Sequence, residues 1–187
     1  MEYKNESLTR YLDDLAARLP APGGGSAAAL NAALGASLIS MVVNFTLGKP
    51  KYAKFTPELQ NILERSEKLR GEFLHLVDLD VQAYNSRNIN DALKIPFMLA
   101  RLCFEGIKLC PVLVKKGNVN LISDVGVAAV MLEAAFVSAR FNVEINLKTL
   151  GDKKLSKAIN KELEQKEKML KKIRLETEEK VGQTIRR

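Results

Sequence analysis

The residues of this chain that could do chemistry fall in a few short stretches. Pro20-Ala21-Pro22-Gly23-Gly24-Gly25-Ser26 runs into Ala27-Ala28-Ala29-Leu30. Three glycines at the mouth of a helix give a backbone that can come close to a ligand and aim unpaired N–H groups at an anion or a polar ring edge. The same stretch can also be read as a tight connection in which Ser26 caps the helix. A second group, Asn44-Phe45-Thr46-Leu47-Gly48-Lys49 with Lys51 and Tyr52, closes that helix with an amide, a hydroxyl, a glycine stop and two cations. The third, Gly117-Asn118-Val119-Asn120-Leu121-Ile122-Ser123-Asp124, opens a later helix with a carboxylate in its first turn, where capping is the structural alternative. Asn142 and Asn146 share one face further along it, suited to a ligand or to buried carbonyls. Asp80 sits near the C-terminal end of its helix, where the dipole disfavours an anion and would raise its pKa unless a cation answers it.

Other chemistries have little support. His75 is the single histidine and has no cysteine cluster beside it, so a metal site of ordinary ligand count is not expected. Cys103 and Cys110 lie seven apart in an apolar stretch, on one helix face but too far apart to bridge. They are expected to be buried and reduced, as suits a cytoplasmic protein. The sequence contains no G-x-S-x-G elbow, no Walker loop and no dinucleotide fingerprint after a strand.

The elements that must position these residues read as helices. Alanine, leucine, lysine and glutamate dominate, while tryptophan is absent and period-two β-branched runs are hard to find. Ser7 can cap a first helix with Leu8, Tyr11, Leu12, Leu15 and Leu19 on one face, ending at Pro20. The second, about Gly25 to Leu47, repeats small residues at Ala28, Ala32, Ala36 and Ser40 and at Ala29, Ala33 and Ser37, so two of its faces can approach other helices closely. It is long and apolar enough to suggest a membrane span. The polar residues Asn31, Ser37, Ser40, Asn44 and Thr46 along it favour a buried central helix instead.

Thr56-Pro57-Glu58 opens a third helix to about Tyr84, and a fourth starts near Asp91, with kinks or breaks expected at Pro96 and Pro111 and a stop at Gly117-Asn118. A fifth, from Leu121 or Ser123 to Leu147, has its own small residues and is the natural partner of the second. Asp152 can cap a last helix whose narrow stripe of Leu155, Ile159, Leu163, Leu170 and Ile173 suits the surface or a second subunit. The expectation is a single all-α domain over residues 1–187, a bundle of about six helices around a buried small-residue pair. The net charge of +7 sits largely in a last third where lysines alternate with glutamates, so nucleic acid is not expected as a partner, while a small polyanionic substrate is compatible. No signal-peptide pattern opens the sequence, and neither membrane nor secretion is expected.

In this order the glycine loop, Asn44 to Lys49 with Tyr52, Asp80 through Tyr84, Gly117-Asn118 with Ser123-Asp124, and Asn142 through Asn146-Leu147 resemble the cyclodeaminase/cyclohydrolase family over roughly Leu8 to Leu170. This family comprises the C-terminal domain of formiminotransferase-cyclodeaminase and stand-alone bacterial methenyltetrahydrofolate cyclohydrolases. The resemblance implies a homodimeric helical enzyme that takes a folate as substrate, needs no further cofactor, and acts at the carbon bridging N5 and N10. A cyclodeaminase closes 5-formiminotetrahydrofolate with loss of ammonia, and a cyclohydrolase opens 5,10-methenyltetrahydrofolate to 10-formyltetrahydrofolate with water. It assigns Asp124 as anion or general base with Asp80 as the second acid, Lys49 and Lys51 to the folate carboxylates, and Gly23, Gly24, Gly25 and Ser26 to the pterin or p-aminobenzoylglutamate part. Asn44, Tyr52, Asn120, Ser123 and Asn142 join the binding set. One departure stands out: the segment from Asn85 to Ile95 is about a dozen residues shorter than the family's usual one. The alternative function is therefore a folate-binding or regulatory dimer that has lost catalysis.

Overall fold

The structure, a computed structural model, describes residues 2–186. It is helical throughout, in the order α1 (Leu8–Ala16), α2 (Gly24–Asn44), α3 (Thr56–Ser86), α4 (Ile89–Ile107), α5 (Cys110–Lys116), α6 (Ile122–Leu150) and α7 (Lys153–Ile185). Short 3-10 turns occupy Tyr3–Asn5, Pro50–Phe55 and Val119–Leu121, and no strand occurs among the described residues. The expected fourth helix divides after Ile107 into α4 and α5. Pro111 sits in the first turn of α5, where a missing N–H costs nothing. Pro96 stays inside α4.

The buried small-residue pair is α2 and α6. Ala28, Ala29, Ala32 and Ala36 on one helix and Ala128, Ala129, Ala135 and Ala139 on the other are buried. A methyl added at Gly35 would sit 3.1 Å from Leu132 Cγ and 3.3 Å from the Ala128 carbonyl, so the backbones meet there. The pair runs antiparallel: Gly24 lies beside Asn142, Asn31 Nδ2 donates to the Met131 carbonyl at 2.9 Å, and Gly35 meets Ala128. The start of α2 therefore adjoins the C-terminal half of α6, and its end adjoins the start of α6. Across the 21 residues of α2 the two ends stand roughly 30 Å apart. α3 packs on α2, α4 on α6 and α3, and α7 along α6. Both α2 and the span Val119–Leu150 are long and apolar enough to cross a membrane.

Two elements differ from the amphipathic reading. Of the expected apolar face, Tyr11 is buried and Leu15 packs on the core, while Leu8, Leu12 and, beyond the helix, Leu19 are exposed, and polar bonds add to the hold on this segment. The Tyr3 hydroxyl donates to Asp14 at 3.0 Å, the Tyr3 N–H donates to Asp78 Oδ1 at 2.5 Å, and the Tyr11 hydroxyl donates to Ser26 Oγ at 3.1 Å. α7 buries Ile159, Leu163, Leu170 and Val181 and leaves Leu155 exposed. Its charged flank makes ion pairs between helices, Arg101 with Glu162 at 2.7 Å, Arg174 with Glu133 at 2.6 Å, and Arg140 with Glu167. Ser7 and Asp152 cap α1 and α7 as expected, accepting from the N–H of Arg10 and Leu155. Cys103 and Cys110 are buried free thiols, and burial pushes Cys110 up to about 12 and Cys103 higher still, so neither is a nucleophile.

Candidate active site

The glycine loop and Asp80 form one unit. Gly23 caps α2 with extended backbone, and α3 runs past that first turn with Asp80 facing it. The Ser26 N–H donates to Asp80 Oδ2 at 2.9 Å. A Cβ built on Gly25 would stand 2.1 Å from Asp80 Oδ1, so the carboxylate occupies the place of a side chain and only glycine admits it. Ser26 is fully buried and does not cap the helix: its hydroxyl accepts from Tyr11 and donates to the Val77 carbonyl at 3.0 Å. That hydroxyl pins α2 to α1 and α3, while the backbone of Ser26 serves the site.

Burial raises the pKa of Asp80, and the bond from the Ser26 N–H works against that rise. The cause is desolvation rather than the helix end that the sequence suggested. No ion pair among the described residues involves Asp80. A carboxyl with raised proton affinity that retains one fixed N–H donor is equipped to take up and return a proton.

Asp80 opens into a cavity of about 310 Å³ whose walls include Gly23, Gly24, Gly25, Tyr84, Asn142 and Asn146. Asn142 Nδ2 donates to the Ser138 carbonyl at 2.9 Å, which leaves its second N–H and its oxygen to offer a ligand. Asn146 Nδ2 donates to the Ala92 carbonyl at 2.6 Å. That carbonyl stands four residues before Pro96 and has lost its helical N–H partner to the proline ring. The side-chain amide of α6 thus replaces a backbone bond of α4 and fixes the wall at Ala92.

The other end of α2 is built differently. Thr46 Oγ1 accepts from the Asn118 N–H at 2.9 Å and donates to the Val42 carbonyl at 2.6 Å. Asn118 Nδ2 donates to the Phe45 carbonyl, and the Tyr52 hydroxyl accepts from the Val119 N–H at 3.3 Å. Lys49, Lys51, Asn120 and Ser123 are exposed around this knot, with Asp124 partly buried in the first turn of α6. Asn44 lines a separate groove with Glu67 and Arg70.

Of the expected site residues, Gly23, Gly24, Gly25, Asp80 and Asn142 meet at one cavity, and Ser26 joins them through its backbone. Asn44, Lys49, Lys51, Tyr52, Asn120, Ser123 and Asp124 lie at the opposite end of the helix pair. The expectation that Asp124 faces the glycine loop is thereby corrected: antiparallel packing puts the start of α6 beside the end of α2. Tyr84 and Asn146 belong to the cavity without having been assigned to it, and Pro96 carried the signal for Asn146, since a proline within a helix leaves a carbonyl in need of a donor. His75 is exposed, and no group of three metal-ligating side chains occurs among the described residues.

The pattern that defines formiminotransferase-cyclodeaminase matches residues 7–88 and 86–165. This chain belongs to the formiminotransferase-cyclodeaminase family. The break between the two matched pieces falls at the α3–α4 turn, where the sequence places the shortening. A member from Methylorubrum extorquens, methenyltetrahydrofolate cyclohydrolase, is 38% identical over 183 residues, covering 86% of this chain and 88% of that one. Formimidoyltransferase-cyclodeaminase of Rattus norvegicus is 30% identical over 169 residues, or 78% of this chain, which spans only 31% of that larger protein. Among solved structures, formiminotetrahydrofolate cyclodeaminase of Thermotoga maritima superposes with a TM-score of 0.93 at 28% identity, covering 98% of this chain and 100% of that one.

Proposed function

We propose that this protein is a folate one-carbon enzyme acting at the N5/N10 bridge, and that Asp80 is its proton-transfer group. The observation that carries the reading is the desolvated Asp80 carboxyl, held against the Gly25–Ser26 backbone at the head of a cavity. Hydrolysis of 5,10-methenyltetrahydrofolate needs a water deprotonated as it adds to the amidinium carbon, then a proton delivered to N5 as the C–N5 bond breaks. One carboxyl with raised proton affinity can take the first proton and return the second, and as an anion it stabilises the cationic ring. As the C–N5 bond breaks, the hydroxyl of the tetrahedral adduct gives up its proton to solvent and becomes the formyl carbonyl, so the net reaction consumes one water, yields 10-formyltetrahydrofolate and releases one proton.

Greater identity to the cyclohydrolase puts this reaction first. Cyclodeamination of 5-formiminotetrahydrofolate is the second reading, supported by the fold match to the Thermotoga enzyme; there N10 attacks the formimino carbon, and Asp80 would take the N10 proton and pass it to the amino group, which leaves as ammonia. No residue of the short α3–α4 turn lines the Asp80 cavity, so the shortening does not remove it, and the retained Asp80 carboxyl favours an enzyme over a binding-only relative.

We further propose a cytoplasmic homodimer. α6 exposes Val127, Val130, Phe141 and Ile145, and α2 exposes Leu34, with Phe45 exposed just beyond its end, apolar groups that a second copy would cover. Sedimentation at micromolar concentration should give a dimer, and a monomer alone would refute it. Purified protein should bleach the methenyl chromophore much faster than buffer does. Ammonia release from 5-formiminotetrahydrofolate separates the second activity from the first, and no acceleration of either reaction would overturn the enzymatic reading.

A further inference from the structure

Beside the Asp80 cavity lies a second one of about 520 Å³, and the two share Pro20, Ala83, Tyr84 and Ala92 as a common wall. The first alone is at the low end of the size at which proteins enclose small molecules, roughly 300–1,000 Å³, whereas the two adjoining cavities together lie well inside that range. The second cavity is polar where it meets the α3–α4 turn, with Asn85, Arg87 and Asn88 exposed there. Arg87 is the one charged residue in its lining.

Arg87 is not spent on a structural partner. No ion pair among the described residues involves it, and the nearest acid along α4, Asp91, lines a different groove with Lys94. It is also the one non-glycine residue with positive φ, at 54°, among those described, a conformation that asparagine or glycine would hold at less cost. A guanidinium kept at such a position, on the rim of a cavity that adjoins the Asp80 cavity, presents a planar donor fork suited to carboxylate. Lys49 and Lys51, the cations that the sequence offered for this purpose, are roughly 30 Å away along α2.

We infer that the second cavity holds the p-aminobenzoylglutamate part of the substrate and that Arg87 binds its glutamyl carboxylates. This rests on the folate reading of the Asp80 cavity. The apolar wall of Pro20, Ala83 and Ala92 takes the aromatic ring, and the substrate's charge discriminates at the α3–α4 turn. The short turn is then a means of opening this route.

The test compares 5,10-methenyltetrahydrofolate with its counterpart lacking glutamate, 5,10-methenyltetrahydropteroate, in wild type, Arg87→Gln and Arg87→Lys. Wild type should show a KM about tenfold lower for the glutamyl substrate, on the scale of one charge-assisted pair. Arg87→Gln should erase that preference by raising the glutamyl KM alone, and Arg87→Lys should restore part of it. A glutamyl KM unchanged in Arg87→Gln, or a rise equal for both substrates, would overturn the assignment. A wild type that turns over neither substrate would instead overturn the folate reading of the cavity, and the inference with it.

Discussion

At its N-terminal end α2 meets a carboxylate that has one hydrogen bond and no cation; at its C-terminal end it meets a set of polar groups that satisfy one another. Both ends combine glycine, hydroxyl and asparagine. At the first, the hydroxyl of Ser26 is buried in the scaffold and its N–H is given to Asp80, beside an open cavity. At the second, Thr46, Asn118 and Tyr52 spend their hydrogen bonds on backbone groups, most of them linking the end of α2 to the start of α6. Residue type alone does not separate a reactive site from a fastening. What separates them is whether a desolvated charge is left over.

The comparison can be broken most directly at Asp80. Asp80→Asn should lower turnover by about 10²–10⁴-fold, with folding intact by circular dichroism. Because burial raises the carboxyl's folded pKa above its unfolded value, folding favours the protonated form. Its contribution to stability is full below the unfolded value and is lost as pH rises towards the folded one. Asparagine carries no charge at any pH, so the variant should melt above wild type at neutral pH and converge with it in acid. Gly25→Ala comes next. Its methyl would collide with Asp80 Oδ1, so turnover should fall at least tenfold with a loss of about 1–3 kcal/mol in urea unfolding; wild-type turnover would mean that the carboxylate is free to leave the loop.

The far end should respond in stability rather than in rate. Thr46→Val leaves the Asn118 N–H without its acceptor and should cost about 1–3 kcal/mol, with turnover per folded molecule within twofold of wild type. Asp124→Asn, in the first turn of α6, should cost less than about 1 kcal/mol by denaturant titration. A loss of turnover in either variant, measured on folded protein, would break the division between the two ends within one chain and bring the far end to the cleft of a second copy.

Much of this was legible beforehand. Glycine at the mouth of a small-residue helix, an acid on the next helix and asparagines four apart on the helix packed against it are local patterns, and they meet at one cavity. The misplacement of Asp124, Lys49 and Lys51 has a single cause. Periodicity tells which face of a helix is buried but not the direction in which two such faces run past each other, and the antiparallel run of α2 and α6 reverses which ends meet. The raised pKa of Asp80 was expected from its place in the sequence, but its origin in burial became visible only with α1, α2 and α3 packed together. The amphipathic pattern of α1 is met only at Tyr11 and Leu15, which reach the core, because Tyr3 and Tyr11 also fix the segment by hydrogen bonds and Leu8 and Leu12 stay exposed.

The amide of Asn146 that completes α4 at Pro96 also bears on how the cleft can breathe. Moving α4 away from α6 would take the Asn146 amide from the Ala92 carbonyl, so water must replace that donor as the helices part or the carbonyl is left without it. Widening of the cleft and hydration of that carbonyl become one event. Opening, read by hydrogen exchange of the α4 amides, should quicken in Asn146→Ala, which has no amide to hold the Ala92 carbonyl, and unchanged exchange would show that this bond does not restrain the cleft.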